Sequence, residues 1–155
     1  MSNPPDRSEL VVIERCIDEW IGELHAEYDH IVAVDRGEDD VIRWYVRMRG
    51  EDKEFTTVWI TLGQRMLRYE TYVMPAPEEN EQTLYENLLR RNERLVGAHF
   101  SIGEEDAVYL RGELPTSVVD KDHIDRILGT MYATVEQTFQ ALLRIGYASR
   151  FAADD

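Results

Sequence analysis

An α+β fold, an antiparallel β-sheet with helices packed on it in the order α-β-β-β-β-α-β-β-α, is predicted by three observations. Residues 8–28 repeat apolar side chains every three or four positions. Residues 31–74 change to a period of two, and two further helical stripes flank a short pair of alternating segments. At 155 residues the chain suits a single core. The expected domain runs over 6–147, with flexible tails at 1–5 and 148–155.

In the first helix Leu10, Ile13, Ile17, Trp20, Ile21, Leu24 and Tyr28 fall on one face, and Asp6 with Glu9 has the spacing of a capping box that starts it. "IVAV" and "VIRWYVRMRG" follow as strands joined by the polar turn "RGEDD". In the second strand Ile42, Trp44, Val46 and Met48 alternate with Arg43, Tyr45, Arg47 and Arg49, so one face is apolar and the other basic. "FTTVWITL" and "QRMLRYETYVM" add two strands around Gly63 and complete a four-stranded antiparallel meander, with Val58, Ile60, Leu62, Leu67, Tyr69 and Val73 inward.

"PAPEENEQ" stops the last of these strands and is expected to load acidic residues onto the first turn of the second helix, where the macrodipole favours them. That helix carries Leu84, Leu88, Leu89, Leu95 and Val96 as its apolar stripe. Arg90, Arg91 and Arg94 lie toward its C-terminal end, with Gly97 beyond. "HFSIGEEDAVYLRGELP" reads as a hairpin with Phe100, Ile102, Val108 and Leu110 inward and His99 and Ser101 outward. The third helix holds Ile124, Ile127, Leu128, Met131, Val135, Phe139 and Leu142 on one face. Asp120 is its cap, and Val119 and Ile124 sit at the positions of a hydrophobic staple.

Thirty-one acidic against 17 basic residues give a net charge of −14, which repels phosphate backbones and anionic membrane surfaces, so neither nucleic acid nor membrane is an expected partner. One cysteine, Cys16, makes no intrachain disulfide and reads as a semi-buried apolar residue. "MSNPPDRSEL" lacks the basic start and apolar run of a signal peptide, and a cytoplasmic location is expected.

Several clusters suggest chemistry and then lose the argument. His99, Ser101 and the carboxylates of "GEED" share one strand and turn, where neighbouring positions cannot form a triad beside an oxyanion hole. His25, Glu27, Asp29 and His30 crowd one helix end, but the histidines are five apart rather than the four that would face a common ion. His123 belongs in the first turn of the third helix. No glycine-rich phosphate loop, nucleophile elbow or pair of C-x-x-C motifs occurs. No catalytic residue, metal ligand or cofactor is expected.

What remains is the outward face of the meander. Strand alternation puts Arg43, Tyr45, Arg47, Trp59, Arg68 and Tyr72 there, with Met74 beyond them. Arginine and large aromatics are enriched at protein interfaces, because they combine apolar area with directed hydrogen bonds. Cross-strand pairing of arginine, Glu70 and aromatic side chains is the structural alternative.

The segment "LYENLLRRNERLVGAHFSIGEEDAVYLRGELP" running into "IDRILGTMYATVEQTFQALL" resembles the YbjN family of bacterial proteins, whose members share a fold with the secretion chaperones of type III systems. The shared features are a Leu-Leu helix with Asn92 near its end, the Phe100 strand, an acidic turn, a second strand ending in "LP" and a long C-terminal helix. The resemblance covers about residues 10–147. It implies helices on an antiparallel sheet, frequent dimerisation, no catalytic residues and a regulatory or chaperone-like role. The expectation is a non-enzymatic protein-binding module, an adaptor or regulator, acting as a homodimer on another protein through its sheet face. The competing expectation is a small-molecule sensor with a cavity lined by Trp20, Trp44 and Met131.

Overall fold

The computed structural model describes residues 3–152. Its elements are α1 (Arg7–Glu27), β1 (Ile31–Arg36), β2 (Ile42–Arg49), β3 (Phe55–Leu62), β4 (Met66–Met74), α2 (Glu81–Asn92), β5 (His99–Ile102), β6 (Val108–Pro115), α3 (Lys121–Gly146) and α4 (Ala148–Ala152). The six strands form one antiparallel sheet in the order β1-β2-β3-β4-β6-β5, so the hairpin extends the meander through β6. All three long helices lie on one side of it. α3 runs against β3 and β4, flanked by α1 beside β1 and α2 beside β5.

The expected periodicities account for this arrangement. Ile17, Ile21 and Leu24 of α1 and Ile124, Ile127, Leu128, Met131, Val135 and Leu142 of α3 are buried against Trp44, Val46, Met48, Val58, Ile60, Leu62, Leu67 and Val73 of the sheet. α1 and α3 each start at the expected cap. Asp6 accepts the Glu9 N–H at 2.8 Å, and Asp120 accepts the His123 N–H at 2.8 Å, which holds the Asp120 carboxyl below its usual range.

Four details depart from the sequence reading, each for a local reason. A bulge between Tyr72 and Met74 shifts the register against β6, so Met74 turns inward and is 0% exposed rather than standing on the outer face. Ile102 has the inward register opposite Val108 but sits at the end of edge strand β5, where it remains 47% exposed. The α2 stripe is narrower than its leucines suggest: Leu84 and Leu88 are buried, while Leu89 and Val96 are 70% and 88% exposed. Finally, α2 begins only at Glu81, after Asn80 in the left-handed conformation. Glu78 and Glu79 therefore precede the helix and serve α4, pairing with Arg150 and Ser149.

That last contact places residues 148–152, expected within a tail, in a helical turn beside the 75–80 segment. Residues 1–2 and 153–155 of the expected tails lie outside the described residues. The end of α3 is fixed to the same segment. The Gly146 carbonyl accepts the N–H groups of Glu78 and Glu79 at 2.9 and 3.1 Å, and Tyr147 donates to the Ala76 carbonyl at 2.6 Å.

Candidate interaction surface

The sheet face turned away from the helices collects all six residues that alternation assigned to it. Cross-strand register makes Tyr45 the neighbour of Trp59, Arg47 of Thr57 and Arg43 of Thr61, while Arg68 faces Thr61 and Tyr72 faces Tyr109 of β6. The Tyr45 and Trp59 rings meet edge to face, 6.1 Å apart at 75°. The Arg47 guanidinium lies 3.7 Å from the centre of the Phe55 ring, and Arg43 donates to the Thr61 hydroxyl at 2.9 Å. Arg68 is far more open and reaches Glu113 only at 3.5 Å.

Strand order adds residues that sequence reasoning missed. Because β6 lies next to β4, Arg111 pairs with Glu70 at 2.8 Å and covers the Tyr109 ring at 4.5 Å, and Tyr109 meets Tyr72 edge to face at 5.7 Å. The signal was present in "AVYLRGEL", whose outward positions are Tyr109 and Arg111, but nothing in the sequence placed that strand beside Tyr72. Phe55 likewise continues the outward series of β3. The face thus has two parts: an aromatic and arginine cluster on β2 and β3, and a charge-paired strip on β4 and β6.

Lys53, in the β2–β3 turn, closes one end of this surface. Its ammonium donates to the Tyr72 carbonyl at 2.6 Å and lies 5.3 Å from the Tyr72 ring and 5.5 Å from that of Phe139. Burial lowers its pKa from 10.5 to about 8. The unfolded chain therefore binds more protons than the folded one between those values, so this group makes stability rise with pH from about 8 to 10.5. Lys53→Met removes that contribution. The midpoint of the native protein in urea is expected to climb relative to that of Lys53→Met across this pH window, and parallel pH profiles would show that the ammonium is not desolvated.

The same turn is gripped from the other side of the sheet by α3. Glu136 accepts the N–H groups of Glu51, Asp52 and Lys53 at 2.9, 3.0 and 3.3 Å, Tyr132 donates to the Arg49 carbonyl at 3.0 Å, and Gln140 to that of Asp52 at 3.0 Å. The three helical positions are four apart and share one edge of α3. Gly50 leaves the carboxylate its room, since a Cβ there would stand 2.1 Å from Glu136 Oε1.

The remaining candidates fall where packing explains them. His30 stacks between Tyr28 and Tyr132 at 5.5 and 4.7 Å, and His25 occupies the last turn of α1. Cys16 is half-buried on α1. Ser101 is reached only loosely by Arg111, at 3.4 Å. Trp44 and Met131 are fully buried with Trp20 packed beside the core, and the Trp44 indole N–H donates to Asp18 at 2.6 Å, so these residues form packed interior rather than a cavity.

A family model described as "Putative bacterial sensory transduction regulator", YbjN, matches residues 17–144. The chain belongs to the YbjN family. Among curated proteins, an uncharacterized protein of Mycobacterium tuberculosis strain H37Rv is 36% identical over 104 residues, and one of Mycobacterium leprae is 33% identical over 111. These alignments cover 67% and 72% of this YbjN chain but only 57% and 60% of the relatives, so the chain spans somewhat over half their length.

Solved structures with the same fold include two from type III secretion. A chain of the ExoU–SpcU heterodimer of Pseudomonas aeruginosa aligns with a TM-score of 0.55 at 13% identity, over 81% of this chain and 96% of that one. A chain of the HopA1–SchA chaperone–effector complex aligns at 0.56 and 12% identity, over 86% and 97%. The Yersinia pestis secretion chaperone SycH structure, in complex with a fragment of YscM2, aligns at 0.52 and 13%, over 79% and 96%. At these identities the likeness establishes the fold of this YbjN protein, a six-stranded antiparallel sheet with helices on it. No helix among the described residues is long and apolar enough to cross a membrane.

Proposed function

We propose that this YbjN chain is a non-enzymatic protein-binding module, a chaperone-like adaptor or regulator that works in the cytoplasm as a homodimer. Arg43, Tyr45, Arg47, Trp59, Arg68 and Tyr72 are its contact residues. One observation carries the reading: in a protein of net charge −14, arginines and large aromatics gather on the sheet face that the three long helices leave uncovered. Such a face offers apolar area for a partner chain and guanidinium donors for its carbonyls and carboxylates. The neighbours in fold lend support, because their structures were solved as complexes with partner proteins.

The centre of the surface is the Tyr45–Trp59 pair with Arg47 alongside, so a change there reads the proposal most directly. In an Arg47→Glu, Trp59→Glu double variant with native circular dichroism, proteins captured from lysate by the native chain are expected to be lost or reduced at least about tenfold. A partner list identical in identity and quantity for both proteins would refute this face as the binding site.

A further inference from the structure

The helical side of the molecule holds a second basic concentration, separate from the sheet face. A cleft of about 440 Å³ opens between the end of α2 and the middle of α3, and Arg90, Arg91 and Arg94 line it. Its apolar part comes from Leu95 and Phe100, and its polar rim on α3 from Thr134, Gln137 and Thr138. Among the described residues Glu93 is the only acidic one that lines it. A volume of this order is that of a small-molecule site.

Basic residues at the end of a helix complement its dipole, which is sufficient reason for Arg90 and Arg91 in the last turn of α2. It is not sufficient for the rest. Arg94 lies beyond the helix, and among the described residues its guanidinium has no hydrogen bond or ion pair. Arg91 uses only its Nε, donating to Asn87 at 2.6 Å, so both terminal nitrogens remain available. Arg90 alone is neutralised, by Glu86 at 2.9 Å. Arg91, with both terminal nitrogens available, and Arg94, three residues on and unpaired among the described residues, thus line a concave site in a strongly acidic protein. Concavity focuses their field against the surrounding negative charge.

We propose that this cleft binds a small phosphorylated metabolite, with Arg91 and Arg94 holding the phosphoryl group and Leu95 and Phe100 receiving the organic part. Guanidinium forks match phosphoryl oxygens bidentately, and Gln137 on the facing helix supplies a neutral hydrogen-bonding group for the remainder. A cleft of about 440 Å³ suits a compact ligand rather than a polymer. The assignment is independent of the protein-binding face, which lies across the sheet.

The test is calorimetric titration of the full chain with inorganic phosphate, with a panel of organic phosphates including AMP and glucose 6-phosphate, and with citrate as a carboxylate of comparable charge. At least one organic phosphate is expected to bind more tightly than both inorganic phosphate and citrate. Its affinity should fall about tenfold or more in Arg94→Gln, a change at an exposed side chain that leaves the fold intact. Arg91→Gln should weaken it similarly. Absence of binding by every organic phosphate, tighter binding of citrate or of inorganic phosphate, or undiminished affinity in Arg94→Gln would each overturn the proposal.

Discussion

Replacing Gly112 by alanine is expected to cost about 3 kcal/mol of stability, read as a lower urea midpoint at unchanged slope. A Cβ at Gly112 would stand 2.3 Å from the Gly97 carbonyl oxygen and 2.4 Å from the Tyr69 ring, its cross-strand neighbour. The Tyr69 hydroxyl in turn donates to that same Gly97 carbonyl at 2.5 Å, and Gly97 holds φ at +81°. Two glycines and one tyrosine thus let the connection after α2 lie directly on the sheet between β4 and β6. The ring could swing aside, but the carbonyl belongs to the backbone and has no rotamer to adopt. For that reason a double-mutant cycle with Tyr69→Ala, itself costly because the ring is buried, should give a coupling energy that accounts for only part of the Gly112→Ala loss. A coupling equal to the whole loss would assign the cost to the ring alone, and a neutral Gly112→Ala would show that the Gly97 segment moves freely.

Asn92→Ala is expected to cost about 2 kcal/mol and to raise self-association, the first read by urea denaturation and the second by sedimentation velocity. Asn92 follows the last arginine of α2 and turns its amide onto edge strand β5. It accepts the Phe100 N–H at 2.7 Å and donates to the Phe100 carbonyl at 3.1 Å, taking both backbone groups that point away from β6. One side chain thereby fills the place that a neighbouring strand would occupy. Removing it leaves a donor and an acceptor unpaired on a sheet edge. Asn92→Asp is the sharper test, because the carboxylate keeps the acceptor but sets a second oxygen against the Phe100 carbonyl. It should be no more stable than Asn92→Ala. Native stability in either variant would mean that water replaces the clamp without loss.

The side on which each residue stands was legible from alternation; how much covers it was not. Trp44, Val46, Val58 and Ile60 are buried as their spacing implies, because the middle of a sheet is covered whatever the helix positions. Ile102 and Leu89 obey the same patterns and stay exposed, because coverage at an edge depends on where a partner helix stops. Met74 failed differently, through a bulge that reverses sidedness within one residue and leaves no mark in a hydropathy pattern. The six residues of the outer face were readable because they lie on three consecutive hairpin-connected strands, whose neighbours follow from chain order. Arg111, Tyr109 and the Asn92 clamp required knowing that β6 pairs with β4 and that α2 ends beside β5. Both are decided by packing between distant segments.

The grip of α3 on the β2–β3 turn has a consequence for the order in which the molecule can be completed. The amides of residues 51–53 find their acceptor on residue 136, at a separation of 83 to 85 positions. Hairpin turns commonly complete themselves from local residues, but this one takes its anion from the last long helix. During synthesis the meander can pair its strands while this turn still lacks its acceptor, and only when α3 has emerged and docked is the turn closed. The entropic cost of closing that long loop therefore falls on the docking of α3. The most remote corner of the sheet is thereby made to report whether the final helix has arrived.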